Sequence, residues 1–145
     1  MPAGDVKSVP AGDGPQQFSI VHSIRVSNDG MVYVADRENR RVQVFTVDGK
    51  FVKQVIRHET PFARSVALSP DQRFLYVGDE KEIHVYDRKS MERVSSISGG
   101  GLIGGGHELQ TDSKGNLYVS LTTRGVQKLT FKGMGPAKAA TSAAR

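Results

Sequence analysis

The sequence predicts an all-β fold built from repeated four-stranded sheets, and three observations carry that prediction. Apolar residues alternate with polar ones in short runs, as in Ile20, His22, Ile24 and Val26. Turn-forming residues such as Asn28-Asp29-Gly30 and Asp48-Gly49 separate the runs. The whole pattern then recurs at a period of about 42 residues. One small sheet of four strands cannot bury both of its faces alone, so copies must stack.

The first copy contains four strands in order: Ser19 to Val26, Met31 to Ala35, Arg41 to Thr46 and Phe51 to Val55. The second begins near Ala63, and its Tyr76 stands 43 positions after Tyr33, followed by Asp79 as Tyr33 is followed by Asp36. The third begins at His107, with Gly115 and Tyr118 each 85 positions after Gly30 and Tyr33. A period of about 40 to 50 residues is that of a four-stranded propeller blade. Residues 1–18 read as an N-terminal segment and blade connector, 19–57, 63–98 and 107–131 as three blades within 19–133, and 134–145 as a disordered tail. Blade three ends at Phe131 without a fourth strand, and Val6 to Val9 is the local candidate to supply one.

The residues also carry a resemblance. Gly12-Asp13-Gly14-Pro15-Gln16-Gln17-Phe18, His22-Ser23-Ile24, Asn28-Asp29-Gly30 and the run Val32 to Phe45 resemble an NHL repeat, the blade unit of six-bladed β-propellers. The resemblance extends over Gly12 to Gly133 in three copies. The second copy lacks the Asp-x-x-Asn-Arg run, and the third keeps Arg124 and Val126-Gln127 of it. With Ser69 to Val77 and Asp112 to Tyr118, the chain is most similar to bacterial propeller proteins related to peptidyl-α-hydroxyglycine α-amidating lyase. The resemblance implies about three blades, half of a six-bladed ring. Two chains would in principle close one ring by self-association.

Composition narrows the function classes. The chain has no cysteine, which removes disulfides and thiolate metal sites. No run approaches the roughly 18 apolar residues of a membrane helix. No signal peptide is visible at the N-terminus, while the resembling bacterial proteins are often exported, so the compartment stays open. The net charge of +5 is scattered, with local density at Arg37, Arg40 and Arg41. Glu38 interrupts that cluster, and Asp79, Glu80 and Glu82 occupy the comparable loop of blade two, so RNA binding ranks below a solvated basic surface.

His22 and His107 are the sharpest candidates. They stand 85 positions apart at the start of the first strands of blades one and three. First strands line a propeller channel, so the two imidazoles are expected to face one another across it and to offer metal ligands. The lyase resemblance implies a zinc held by three such histidines, two of which match His22 and His107, in an enzyme that cleaves a peptidyl-hydroxyglycine. Arg64 holds the same position in blade two and is the candidate ligand-binding group, toward an anion. The same resemblance implies calcium near the channel as the lesser cofactor alternative, with Glu108 the matching carboxylate, although one carboxylate is far from calcium's oxygen cage. Catalytic residues remain unknown, since the family's catalytic tyrosine and arginine find no matching motif.

The remaining residues read as structural. Tyr33, Tyr76 and Tyr118 are packed blade residues, His84 is a strand residue, His58 is out of register, and Asp36 accepts loop N–H groups. Gly12-Asp13-Gly14 and Gly99 to Gly106 are blade connectors, because no helix follows to make a phosphate cradle. Three functions are open: a protein- or peptide-binding scaffold first, a zinc-dependent lyase active only in a complete ring as the alternative, and RNA binding as the second alternative.

Overall fold

The computed structural model describes residues 11–56, 62–98, 104 and 106–133, and every regular element in them is a strand. Blade one comprises β1 (Val21–Val26), β2 (Met31–Asp36), β3 (Arg41–Thr46) and β4 (Phe51–Val55). Blade two comprises β5 (Ser65–Leu68), β6 (Phe74–Gly78), β7 (Ile83–Asp87) and β8 (Arg93–Ile97). Blade three comprises β9 (Glu108–Thr111), β10 (Leu117–Leu121) and β11 (Gly125–Leu129). Each blade is one antiparallel sheet in simple up-and-down order. The all-β reading and the set of about three blades therefore hold, and blade three has three strands among the described residues. The Val6 to Val9 strand, the tail at 134–145, His58 and most of Gly99 to Gly106 lie outside the described residues.

Turn chemistry sets the hairpins. Gly30 adopts φ 78° and Gly115 φ 83°, the left-handed region that side chains disfavour. Each N–H closes its turn, Gly30 on the Ser27 carbonyl and Gly115 on that of Asp112. The matched glycines thus fix where β2 and β10 begin, and hence which side chains point to which neighbour.

Register makes corresponding positions explicit. Tyr33, Tyr76 and Tyr118 lie opposite Val44, Val85 and Lys128. Val32, Leu75 and Leu117, one residue earlier, lie opposite Phe45, Tyr86 and Leu129. Strand alternation then gives every blade two distinct faces. One face of blade one (Tyr33, Ala35, Val42, Val44) packs on the opposite face of blade two (Val66, Leu68, Leu75, Val77, Tyr86). Blade two repeats the contact with Tyr76, Ile83 and Val85 against Leu109, Leu117 and Val119 of blade three. Each such side chain contributes about 1.5–3 kcal/mol when fully buried. Stacking therefore supplies what a single sheet lacks.

The tyrosines follow this division. Tyr33 and Tyr76 are buried between blades, as expected of packed blade residues. Tyr118 is half-buried on the free face of blade three, with the Lys128 ammonium 5.5 Å from its ring centre. Of the connector before blade three, Gly106 matters most, since a Cβ there would stand 2.4 Å from Val119 Cγ1. That close approach seats β9 against β10.

Candidate functional site

The innermost strands β1, β5 and β9 lie side by side, with β5 packed against both of the others. Ser23, Ser65 and Glu108 pair with Ala35, Gly78 and Ser120, which are equivalent positions of the three blades. The residues just before them, His22, Arg64 and His107, therefore share one place at the mouth of the arc. A register shift between Val21 and Ser23 makes His22 the extra residue of a bulge, a device that re-aims a side chain.

The two imidazoles touch. Their ring centroids are 4.4 Å apart and the planes are inclined by 59°, so they stand in contact and not across an open channel. Blade two holds its neighbours close enough that alternate blades meet at their inner strands. His22 Nδ1 lies 2.7 Å from the carbonyl oxygen of Arg64. A carbonyl only accepts, so Nδ1 carries the proton and Nε2 keeps its lone pair. Partial burial pulls the His22 pKa below its ordinary value; the bond to Arg64 opposes this, and nearby His107 adds to the lowering. Burial thus favours the neutral form of His22, and the carbonyl bond fixes its tautomer with Nε2 free, the arrangement that suits a metal ligand.

Arg64 shares its side chain among several contacts. Its Nη2 donates to Glu80 Oε1 at 2.5 Å and its guanidinium carbon lies 5.6 Å from the Phe62 ring centre. The Nε atom is sealed from solvent with no hydrogen-bond partner. Arg64, Glu80, His107, Thr122, Thr123 and Arg124 line a small polar groove of about 170 Å³. Two guanidinium groups against one carboxylate leave that groove with a positive balance.

Glu108 has a different task from the calcium ligation considered for it. It accepts a hydrogen bond from Ser23 Oγ at 3.1 Å and an ion-paired one from Arg25 Nη2. Arg25 also donates to the Leu109 carbonyl. The carboxylate therefore ties blade three to blade one at the inner strands, with Oε1 shared between two protein donors. Sequence reading missed Arg25 altogether, since its partner lies 83 positions away.

The basic cluster of blade one is divided, with Arg40 exposed and the other two arginines paired. Arg41 is fully buried and its Nε donates to Asp36 Oδ2 at 2.8 Å, while Arg37 pairs with Glu38. Asp36 also accepts from the Ser19 N–H at 2.8 Å and from Asn39 Nδ2 at 2.9 Å. Its role as a loop acceptor thus extends to a buried ion pair. In blade two, buried His84 places Nε2 at 2.8 Å from Asp79 Oδ2 and 3.8 Å from Glu82 Oε1. Burial raises the Asp79 pKa, but bonds from His84 and from the Glu82 and Lys81 N–H groups hold it below its ordinary value. These groups satisfy one another, which agrees with a structural His84. The spacing Asp79-x-x-Glu82-x-His84 is the signal that would have grouped them.

Comparison with known proteins fits this geometry. Residues 18–45, which span β1 to β3, match the NHL repeat, and the chain folds as a β-propeller arc of about three blades. A 70-residue stretch is 40% identical to human NHL repeat-containing protein 3, covering 46% of this chain and 20% of that protein. A 54-residue stretch is 48% identical to peptidyl-glycine alpha-amidating monooxygenase B of Xenopus laevis, covering 36% of this chain and 6% of that protein. The chain thus spans a fifth or less of these relatives' length. Among solved structures, Saccharomyces cerevisiae Sqt1 superposes with a TM-score of 0.59 at 15% identity, covering 74% of this chain and 32% of that one. The RRP9 WD40 repeats give 0.60 at 19% identity, covering 74% and 34%. At such identities these two speak for the fold alone. Among the described residues no helix is long and apolar enough to cross a membrane.

Proposed function

We propose that this chain is a binding arc that takes a peptide or protein ligand at the mouth where β1, β5 and β9 begin. The observation that carries the reading is the convergence of His22, Arg64 and His107 there, beside a polar groove containing both Arg64 and Arg124. The guanidinium groups of Arg64 and Arg124 in that groove make a carboxylate the fitting ligand group, since it accepts charge-assisted hydrogen bonds from a guanidinium. A short peptide with a free C-terminal carboxylate, compared with its amidated form by fluorescence anisotropy, tests this. The free acid should bind more tightly, and Arg64→Ala should weaken it roughly tenfold or more, as loss of a charged hydrogen bond does. Equal affinity of both peptides would defeat the reading.

A second reading rests on the same mouth. His22, its tautomer fixed by the Nδ1–H bond to a carbonyl, the kind of second-shell support that ligating histidines receive, offers Nε2 to a zinc ion, with His107 beside it as a second ligand. Zinc would supply Lewis acidity toward a carbonyl or hydroxyl oxygen. The likeness to a peptidyl-glycine alpha-amidating monooxygenase supports a peptide carboxyl terminus as the substrate class. In this reading His22 and His107 hold the metal, Arg64 orients the carboxylate, and a complete ring is needed to supply the third histidine. RNA binding loses its main support with the burial of Arg41.

A further inference from the structure

At the ends of the first strands away from the mouth, each pair of neighbouring blades meets through one arrangement of turns. Between blades one and two that place holds Arg88. Its Nη1 donates to both carboxylate oxygens of Asp29, at 2.9 and 2.8 Å, and to the Tyr33 hydroxyl at 3.1 Å. Its Nε donates to the Gln72 carbonyl at 2.6 Å. An arginine of blade two thus joins an acid and a phenol of blade one to the turn between β5 and β6.

Between blades two and three the receiving groups recur and the arginine does not. Asp71 accepts from the Ser69 hydroxyl two residues before it, as Asp29 does from Ser27, and Tyr76 holds the place of Tyr33. Arg88 follows Tyr86 by two positions, and Phe131 follows Leu129, the equivalent of Tyr86, by the same two. Phenylalanine therefore stands where the guanidinium stood. A pocket of about 310 Å³ opens there, lined among others by Asp71, Phe74, Tyr76, Gly115 and Phe131. Asp71 Oδ2 and the Tyr76 hydroxyl have no hydrogen-bond partner among the described residues. Burial, with the Asp71 charge adding to it, raises the Tyr76 pKa, so the phenol stays neutral. Arg73 and Lys114 at the rim are exposed. The Arg73 side chain leans over the Phe74 ring, 5.1 Å from its centre, and toward Asp87, which leaves Asp71 Oδ2 open to another cation.

We propose that this pocket takes an arginine side chain from a partner protein or peptide. The guanidinium does between blades two and three what Arg88 does between blades one and two. It donates to Asp71 and to the Tyr76 hydroxyl while its flat face lies on the exposed Phe131 ring. Lysine is the poorer occupant, because an ammonium has no planar fork to reach both acceptors and stack at once. The pocket lies at the opposite ends of β5 and β9 from the mouth, so the two sites take different ligand groups independently.

A nuclear magnetic resonance titration of the full chain tests the pocket. The probe is arginine acetylated at its amine and amidated at its carboxyl, which offers the mouth no carboxylate. It should shift the ring signals of Tyr76 and Phe131 and the amide of Asp71, and leave the rings of His22 and His107 unmoved. Lysine blocked in the same way should bind roughly tenfold more weakly, the loss of about one charged hydrogen bond. Asp71→Asn keeps the Oδ1 acceptor of the turn and should weaken the arginine probe by about the same factor. Phe131→Arg should supply the missing group from within, abolish binding of the probe and raise the urea midpoint. Should Asp71→Asn unfold, Phe131→Arg decides, because position 131 is exposed. No shift at the pocket, equal affinity for the lysine probe, unchanged affinity in a folded Asp71→Asn, or binding that survives Phe131→Arg would each overturn the proposal.

Discussion

Replacing Arg41 with alanine should destabilise the chain by about 3–5 kcal/mol, the loss expected when one partner of a buried ion pair is removed. The Arg41 side chain is fully buried, as is that of Asp36. Beyond Asp36, its Nη1 donates to the Asp13 carbonyl at 2.5 Å and to Gln54 Oε1 at 2.6 Å. Its Nη2 donates to the carbonyls of Gly14 and Gln17 at 2.9 and 2.8 Å. Alanine would strand a buried carboxylate and release residues 13–17 from the sheet. Native domains hold about 5–15 kcal/mol in all, so the midpoint of a urea transition should fall steeply. Arg41→Lys should rescue little, because an ammonium lacks the fork that reaches several acceptors at once. A loss below about 1 kcal/mol, the range of exposed ion pairs, would contradict the buried geometry.

The second large effect concerns the histidine pair. If His22 and His107 hold zinc in this arc before a complete ring adds a third histidine, calorimetry on the chain should detect zinc binding, and His22→Ala should weaken it roughly a hundredfold or more. Loss of a mere second-shell partner already costs about 10–100-fold. His107→Ala should do the same, whereas His84→Ala should change stability and leave zinc affinity alone. Unchanged affinity in both mouth variants would remove the metal reading and leave the peptide-binding one standing. Affinity should also fall at acid pH, since the protons must leave the ligands.

Much of the architecture was legible in the sequence because alternation and turns are local signals. Tyr33 has counterparts in Tyr76 and Tyr118, and Gly30 has one in Gly115, at the period of a blade. The equivalence of His22, Arg64 and His107 was legible for the same reason. What the repeat could not supply is distance. His22 and His107 were expected to face each other across a channel, and they touch because the inner strands of three blades converge tightly. Contacts between unlike side chains far apart in sequence left no periodic trace. Arg25 with Glu108, and Arg41 with Asp13 to Gln17, are such pairs, and both turned charges assigned to solvent or metal into internal ties.

The contact between blades one and three at the mouth is the central claim, because every functional reading above depends on it. Nuclear Overhauser spectroscopy on the full chain, with the ring protons of His22 and His107 assigned, measures it directly. Rings whose centroids lie 4.4 Å apart should give clear inter-ring cross-peaks that vanish in His107→Ala. A dispersed, folded spectrum with both rings assigned and no cross-peak between them would contradict the convergence of the first strands.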